Sequence, residues 1–515
     1  MAIDILFHNG VILPMTEREA RMRVLAVEGG RIVYIGTSVP QDILATAKHH
    51  IDLEGQCVVP GFTDCHAYPL AAALRRVAVD VHGITHIDEL AFRLRAKRQE
   101  RPKHRMLVSF GLEWNPKTPL SRRLLDELEP HGPWIVVAAS GDCAVVNSAL
   151  AQRLASRKTH PIQIPDDGVV GTEDICRIVA TGIGGAALRE LRRSITNVFY
   201  DLQELGITTV HAMDSADCPD ARDWMLLAAV KRVLRVGLSL YYQTTSAKLA
   251  AVANHRHVGA RILGAGDEPI MDGIPRTVAC FDQRDTLRSY VRSAHRRGLQ
   301  VALVAPGPDS INLALDAFEF AQESASHDLR HRVELLCLPT REQIRRIVDL
   351  GLGVTVFAGA LKPSPKLDRL VHQCRSQPEL TLLPMRTLVE NRVLLGFGSG
   401  YPATDVTPLE TIHLACNHPI AEERLTPYQA LVAFTSDAAW LSMDETEKGT
   451  LSMGRRADMV VLSENPLDVL PERLRDIRVV ETYCAGRLVR RTAFSRSRFF
   501  VQSTLGRFRD AVGMM

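Results

Sequence analysis

The sequence predicts an α/β protein: a (β/α)8 TIM-type barrel plus a small β-sandwich-like domain formed by both chain termini. Short apolar runs recur through residues 61–424, and each is followed by a stretch of helical periodicity. This alternation is typical of parallel β/α units, and the number of units and the length suit a (β/α)8 barrel. Both ends of the chain instead show short strand patterns separated by glycine-containing turns.

The elements follow in chain order. Residues 1–60 contain "DILFHNGVIL" and "RVLAVEGGRIVYIG", which alternate apolar and polar residues as strands do. In the middle, "PWIVVAAS", "GITTVHAM", "LQVALVAP" and "GLGVTVFA" predict strands, whereas "DTLRSYVRSAHRRG", "INLALDAFEFAQESA" and "TREQIRRIVDLG" predict helices. Residues 425–490 return to strands and complete the composite domain with residues 1–60. The basic tail 491–515 is interpreted as a docked amphipathic helix, with a partner-binding segment as the alternative.

Composition and charge indicate an ordinary globular protein. The chain has 515 residues, 46% apolar and 23% charged, with a formal net charge of +3. So small a charge gives no reason to expect binding to nucleic acid or to a membrane surface. No apolar run reaches the roughly 18 residues of a membrane span, and the first residues lack the basic start of a secretory signal. The ten scattered cysteines form no CxxC pair, which favours reduced thiols and a cytoplasmic location.

Several motifs, in a fixed order over some 400 residues, resemble those of the amidohydrolase superfamily. The similarity is to its third amidohydrolase family, which includes enzymes like N-substituted formamide deformylase. "VVPGFTDCHAY" is similar to Pro-Gly-Phe-x-Asp-x-His-x-His, "HRVEL" to His-Arg-Ile-Glu-His, and "GFGSGYP" to a Gly-Ser-Asp-x-Pro segment. The resemblance implies hydrolysis of non-peptide C–N bonds, such as N-acyl or formamide groups, by water activated on zinc or another divalent metal.

The ligand positions that this resemblance implies are mostly filled by residues that cannot bind a metal. His66 matches the first histidine of the motif. The second histidine, the two later histidines and the aspartate base are replaced, in that order, by Tyr68, Val304, Leu335 and Gly400. The bridging position falls on Arg261 or on Glu268, depending on the alignment. One imidazole, even with one carboxylate, is not a zinc site, so we expect no metal and no other cofactor.

Other polar residues at strand ends are candidates for lining a pocket. Asp64 and His66 are two apart on a strand and share one face, whereas Cys65 between them points into the core. His211 and Asp214 follow "GITTV", and Asp142 with Cys143 follows another strand. His331 and Arg332 are interpreted as structural. The complete set of pocket candidates is Asp64, His66, Tyr68, Trp114, Asp142, Cys143, His211, Glu268, Arg276 and Gly400.

These observations favour a catalytically impaired homologue that binds a small molecule or a partner in the inherited pocket. The alternative is an active amidohydrolase with a rebuilt site that uses His66, Glu268, Asp142 or Cys143. A third hypothesis is a regulatory or assembly partner of an active paralogue, since barrels of this type often form homodimers.

Overall fold

A computed structural model describes most of the chain. The described residues are 3–84, 86–100, 105–112, 120–138, 143–157, 162–171, 174–175, 178–179, 185–216, 222–243, 257–262, 280–281, 283–325, 327–402, 404 and 406–491. Among them, no helix combines the length and the apolar character that crossing a membrane requires.

Eight parallel strands make the central sheet of the molecule. In their spatial order they are Phe62–Ala67, Ile207–Ala216, Gly237–Gln243, His257–Ile262, Gln300–Val304, Arg332–Glu334, Gly353–Val356 and Leu395–Phe397. A ninth short strand, Cys280–Phe281, also pairs with His257–Ile262. This arrangement is a mixed α/β fold consistent with a TIM-type barrel.

The first and last strands of this parallel sheet lie side by side. The amide of Gly400 donates to the carbonyl of His66 over 2.8 Å. A Cβ at position 398 would come within 2.4 Å of the Cβ of His66, so only glycine allows the two backbones to approach this closely. The carboxyl end of the last strand is therefore held next to His66.

Most helices connect the parallel strands and cover that sheet, whereas the early helices up to Ala155, apart from Pro69–Val77, lie beside the other sheets. Their amphipathic pattern explains their position, since apolar residues recur on the face that packs against the strands. The described helices are Gln41–Thr46, Pro69–Val77, Ile87–Gln99, Arg122–Leu128, Ser148–Ala155, Gly185–Glu204, Arg222–Leu234, Arg284–His295, Pro308–Ser324, Arg341–Asp349, Pro365–Ser376, Met385–Glu390, Pro408–Cys416, Pro427–Phe434 and Ser436–Leu441. The three helices predicted from periodicity near residues 285–298, 311–325 and 340–351 are confirmed.

Two further sheets contain strands from near the ends of the chain, and the second of them combines both ends. One contains strands Arg31–Gly36, Val24–Glu28, Ile5–His8 and His49–Asp52. The other contains Val11–Ile12, Cys57–Pro60, Met459–Leu462, Val479–Cys484 and Arg487–Leu488. Phe7 and Val27 of the first pack with Val58, Met459 and Tyr483 of the second in one buried cluster.

A separate five-stranded sheet differs from the sequence-based expectation. Its strands are Val169–Gly171, Cys143–Val146, Trp134–Ala138, Leu107–Leu112 and Val79–Asp80. The run "PWIVVAAS" is predicted to be a strand of the barrel, but among the described strands Trp134–Ala138 pairs with Leu107–Leu112 and Cys143–Val146 of this separate sheet. Cys143 does not follow a barrel strand either, because it begins a strand antiparallel to Trp134–Ala138. An all-apolar run fits a buried strand of either sheet, so its composition could not distinguish them.

A largely buried carboxyl beside the parallel sheet predicts a pH-dependent stability. Asp437 begins the helix Ser436–Leu441, and burial raises its pKa to about 7. Its folded-state pKa therefore exceeds its unfolded value of about 3.9. The native state holds this proton more tightly, so the group lowers the free energy of unfolding progressively as the pH rises from about 4 to about 7.

Asp437→Asn removes that ionisation and should stabilise the protein at pH 8 by at most about 4 kcal/mol. The gain should shrink below pH 7 and almost vanish at pH 4, as measured by chemical denaturation at each pH. Asp42→Asn, at an exposed helix position, is the control and should show no such trend. An equal gain at both pH values would contradict the assignment.

Candidate functional site

Asp64 ties the first parallel strand to the segment after the last one. Its carboxylate accepts hydrogen bonds from the Ser399 amide at 3.0 Å, the Ser399 hydroxyl at 2.6 Å and the His66 amide at 3.1 Å. Burial raises the pKa of Asp64 although these donors oppose the shift. These hydrogen bonds hold the segment at Ser399, after the last parallel strand, against the end of the first parallel strand.

His66 lies on the same strand, fully buried, and both of its ring nitrogens are engaged. Nδ1 lies 2.6 Å from Oε2 of Glu334, and Nε2 lies 2.9 Å from the hydroxyl of Tyr68. The rings of His66 and Tyr68 meet edge to face with centroids 5.3 Å apart. Tyr68, which stands where the resemblance expects a second histidine, therefore hydrogen-bonds to Nε2 of His66.

Glu334 is held as a carboxylate inside the sheet. Burial opposes its ionisation, but the charge of Arg332 and hydrogen bonds from His66 and Thr355 outweigh that cost and lower its pKa. Arg332 Nε lies 2.6 Å from Oε1, and the hydroxyl of Thr355 donates to Oε2 over 2.8 Å. An ionised Glu334 requires the proton of His66 to sit on Nδ1.

Arg332 supplies the matching positive charge, and it is also fully buried. Its guanidinium donates to the carbonyl of Cys65 over 2.9 Å, to Nδ1 of His211 over 3.0 Å and to the hydroxyl of Tyr241. It also lies 4.8 Å from the centre of the Tyr241 ring. Burial works against the charge, yet the adjacent Glu334 raises the pKa of Arg332.

His211 is neutral in this setting. Burial first, and the Arg332 charge second, hold its pKa well below the ordinary value. A neutral ring can accept from Arg332 through Nδ1, as the structure shows. We refer to Arg332, Glu334, His66, Tyr68 and Thr355 together as the buried network. It is electrically balanced, with one cation facing one anion.

Three apolar side chains form a separate cluster near the carboxyl ends of neighbouring strands. Val304 and Leu335 are each 3% exposed and pack with the half-buried Phe357. Leu335 has a φ of +57°, in the left-handed region that leucine rarely adopts and that histidine enters more readily. Such a conformation is commonly retained at functional positions. Leucine in this backbone is consistent with the loss of a histidine.

The divalent metal that the resemblance implies does not fit these residues. A zinc site needs three or more nitrogen, oxygen or sulfur ligands. His66 has both ring nitrogens committed, Val304 and Leu335 have no donor atoms, and Gly400 has no side chain. Across the described ranges, no group of three or more His, Cys, Asp or Glu side chains could hold a metal ion.

The remaining candidates divide into those that the structure describes and those that it does not. His211 lies within the strand Ile207–Ala216, so the expectation that it follows the strand is wrong. It is fully buried and contacts Arg332. Cys65 is buried in the core, as expected. The other candidates lie outside the described residues: Trp114, Asp142, Glu268 and Arg276.

The sequence analysis missed the central role of Glu334. Arg332 and Glu334 are two apart in "HRVE", which places both side chains on one face of a strand. That spacing was the available signal for a buried ion pair. Their partner His66 is 268 positions from Glu334 in the chain, so no local pattern could pair them.

Comparisons with known proteins agree with the fold. A model of the Amidohydrolase family matches residues 49–490. N-substituted formamide deformylase of Arthrobacter pascens is 23% identical, over 94% of this chain and 97% of that protein. Protein LONG AFTER FAR-RED 3 of Arabidopsis thaliana is 24% identical, over 94% of this chain and 91% of that protein.

Solved structures show the same architecture. An uncharacterized metal-dependent hydrolase from Pyrococcus horikoshii is 20% identical with a TM-score of 0.69, covering 91% of this chain and 99% of that one. Atrazine chlorohydrolase TrzN from Arthrobacter aurescens, complexed with zinc, is 14% identical with a TM-score of 0.56, covering 98% of this chain and 99% of that one. Since the family model spans most of the sequence, the chain belongs to the amidohydrolase family.

Proposed function

We propose that this amidohydrolase-family protein has lost the family's metal-dependent hydrolysis and binds a small molecule or a partner at the carboxyl ends of its parallel strands. The observation that carries the proposal is the environment of His66, whose two ring nitrogens are taken by Glu334 and Tyr68. Family relatives that hydrolyse C–N bonds would need that histidine free to hold a metal.

The chemistry supports this interpretation. Metal-assisted hydrolysis depends on a bound ion that lowers the pKa of water from about 15.7 towards about 7. Val304 and Leu335 offer that ion no lone pair, and Gly400 offers no carboxylate to take up a proton. The apolar cluster with Phe357 would instead favour contact with an apolar part of a ligand.

The rival hypothesis of a rebuilt hydrolase draws little support from the described residues. Of its four residues, His66 is committed to the buried network and Cys143 begins a strand of the separate sheet. Asp142 and Glu268 lie outside the described residues. A small-molecule or partner-binding role is therefore the function that the site supports best.

The proposal is tested with N-formyl and N-acyl amines as substrates for the purified protein, with added zinc and with a chelator. We expect release of free amine at the rate of the protein-free buffer under both conditions. His66→Ala, which removes the one retained ligand position, controls for a contaminating hydrolase from the host, because a contaminant would be equally active in both preparations. Turnover that chelator abolishes and zinc restores would refute the proposal.

A further inference from the structure

Three members of the buried network form a linear relay. The hydroxyl of Tyr68 lies 2.9 Å from Nε2 of His66, and Nδ1 of the same ring lies 2.6 Å from the Glu334 carboxylate. This is the order of groups in a hydroxyl–imidazole–carboxylate triad, which recurs on unrelated folds and is recognised by geometry. Nothing in the family's metal chemistry requires a hydroxyl at this position.

We propose that Tyr68, His66 and Glu334 form a metal-independent acyl-transfer site in which the Tyr68 oxygen is the nucleophile. This inference rests on the proposed function, because a metal bound to Nε2 of His66 would displace the Tyr68 hydroxyl. It deepens that function by assigning a chemical class, an ester, to the small molecule.

The positions of the protons follow from the ion pair. One oxygen of Glu334 faces Arg332 Nε at 2.6 Å, and the other faces Nδ1 of His66, so this oxygen accepts the Nδ1 proton. The unprotonated Nε2 then accepts the Tyr68 hydroxyl proton. Glu334 is further oriented by Thr355, which donates to the same oxygen that faces His66. A third group thus holds the base in position, as nucleophilic catalysis requires.

The reaction needs no reactant besides the ester and water. As the Tyr68 oxygen bonds to the acyl carbon, its proton passes to Nε2 of His66, and the bond from that carbon to the leaving oxygen breaks. His66 then gives the proton to the departing oxyanion. Water next attacks the acyl-tyrosine ester, transfers a proton through His66 back to the Tyr68 oxygen, and releases the carboxylic acid. Ester and water become acid and alcohol.

The nucleophile and its surroundings define the substrate class. A phenol has an ordinary pKa of about 10, so its oxygen displaces leaving groups of similar or lower basicity, such as other phenols. Tyr68 is 2% exposed and packs with Met213 and Ala302, and Val304 lies two residues further along the same strand face. The substrate is therefore an aryl ester with a small, uncharged acyl group.

The experiment uses the full-length protein with p-nitrophenyl acetate, once with a chelator and once without it. We expect release of nitrophenol above the buffer rate and, after quenching, one added acetyl group that peptide mass spectrometry places on Tyr68. Tyr68→Phe removes only the hydroxyl and should lower the rate at least about 100-fold. Tyr483→Phe is the matched control, since Tyr483 is also 2% exposed but lies on the strand Val479–Cys484, which pairs with Met459–Leu462.

The outcomes separate this inference from the proposed function. No release above the buffer rate, or an adduct elsewhere with full activity in the Tyr68→Phe protein, would overturn the acyl-transfer site and leave the proposed function standing. Release that the chelator abolishes would overturn both. Acetyl-Tyr68 formed with chelator present, together with the loss of rate in Tyr68→Phe alone, would establish the site.

Discussion

Replacing four residues together should return a zinc site to this protein. The changes are Tyr68→His, Val304→His, Leu335→His and Gly400→Asp, which restore the side chains that the family resemblance implies. With His66 they give five donor side chains, more than the three or four that zinc requires. We expect the quadruple variant to bind close to one zinc ion and to gain about 4 kcal/mol in stability when zinc exceeds its dissociation constant a thousandfold.

The positions of Val304 and Leu335 and the backbone at Leu335 and Gly400 favour these substitutions. Val304 and Leu335 already contact each other, so histidines there would converge. Leu335 has the left-handed φ of +57° that histidine tolerates better. A Cβ at Gly400 would meet no atom within 4 Å. Its φ of +64° strains any side chain, but aspartate enters this left-handed region more readily than most residues.

Tyr68→His alone is the control for the quadruple variant. It provides two histidines, which is too few for zinc, so adding zinc should change neither its metal content nor its melting temperature. Calorimetric titration with zinc measures both variants. If the folded quadruple variant bound no zinc, the strand ends would not converge as the fold predicts.

Breaking the buried ion pair is expected to cost stability more than any surface change. Glu334→Gln leaves the fully buried Arg332 guanidinium without its countercharge. Removal of one partner from a buried pair typically costs about 3–5 kcal/mol, because the remaining charge is desolvated and unpaired. Urea denaturation should therefore show a loss of that size.

Two further variants test whether this loss of stability comes from the unpaired buried charge. Glu342→Gln breaks an exposed pair with Arg345 and should change stability by less than about 1 kcal/mol. Arg332→Met combined with Glu334→Leu removes both charges and should recover part of the loss, since the lone buried charge is gone. If the double variant were as unstable as the two single changes added together, the pair would not be coupled.

Much of the fold was predictable because the signals are local. The helix Arg284–His295 follows from its spacing of apolar residues, and the strand that carries Asp64 and His66 follows from its motif. The separate sheet was missed because Trp134–Ala138 is apolar throughout, and only pairing partners distinguish it from a strand of the barrel. The sandwich-like domain formed by the two terminal sheets stays a prediction. The buried cluster that the two sheets share supports it.

Of the candidate site, the sequence shows which side chains stand at the positions that the resemblance assigns to metal ligands. Valine, leucine and glycine at ligand positions can be read from the sequence, because those side chains cannot bind a metal whatever surrounds them. The partners of His66 could not be read, since Glu334 reaches it from a distant strand. Likewise, no local pattern indicates that Arg332 contacts the carbonyl of Cys65 and the ring of His211.

The metal content of the purified protein, expressed with zinc supplied and then dialysed, tests the central claim most directly. Elemental mass spectrometry reports it per chain. With His66 committed to Glu334 and Tyr68, we expect far less than one equivalent of any divalent metal. Close to one equivalent that survives dialysis would contradict the account, because it would mean that residues other than those described here hold the ion.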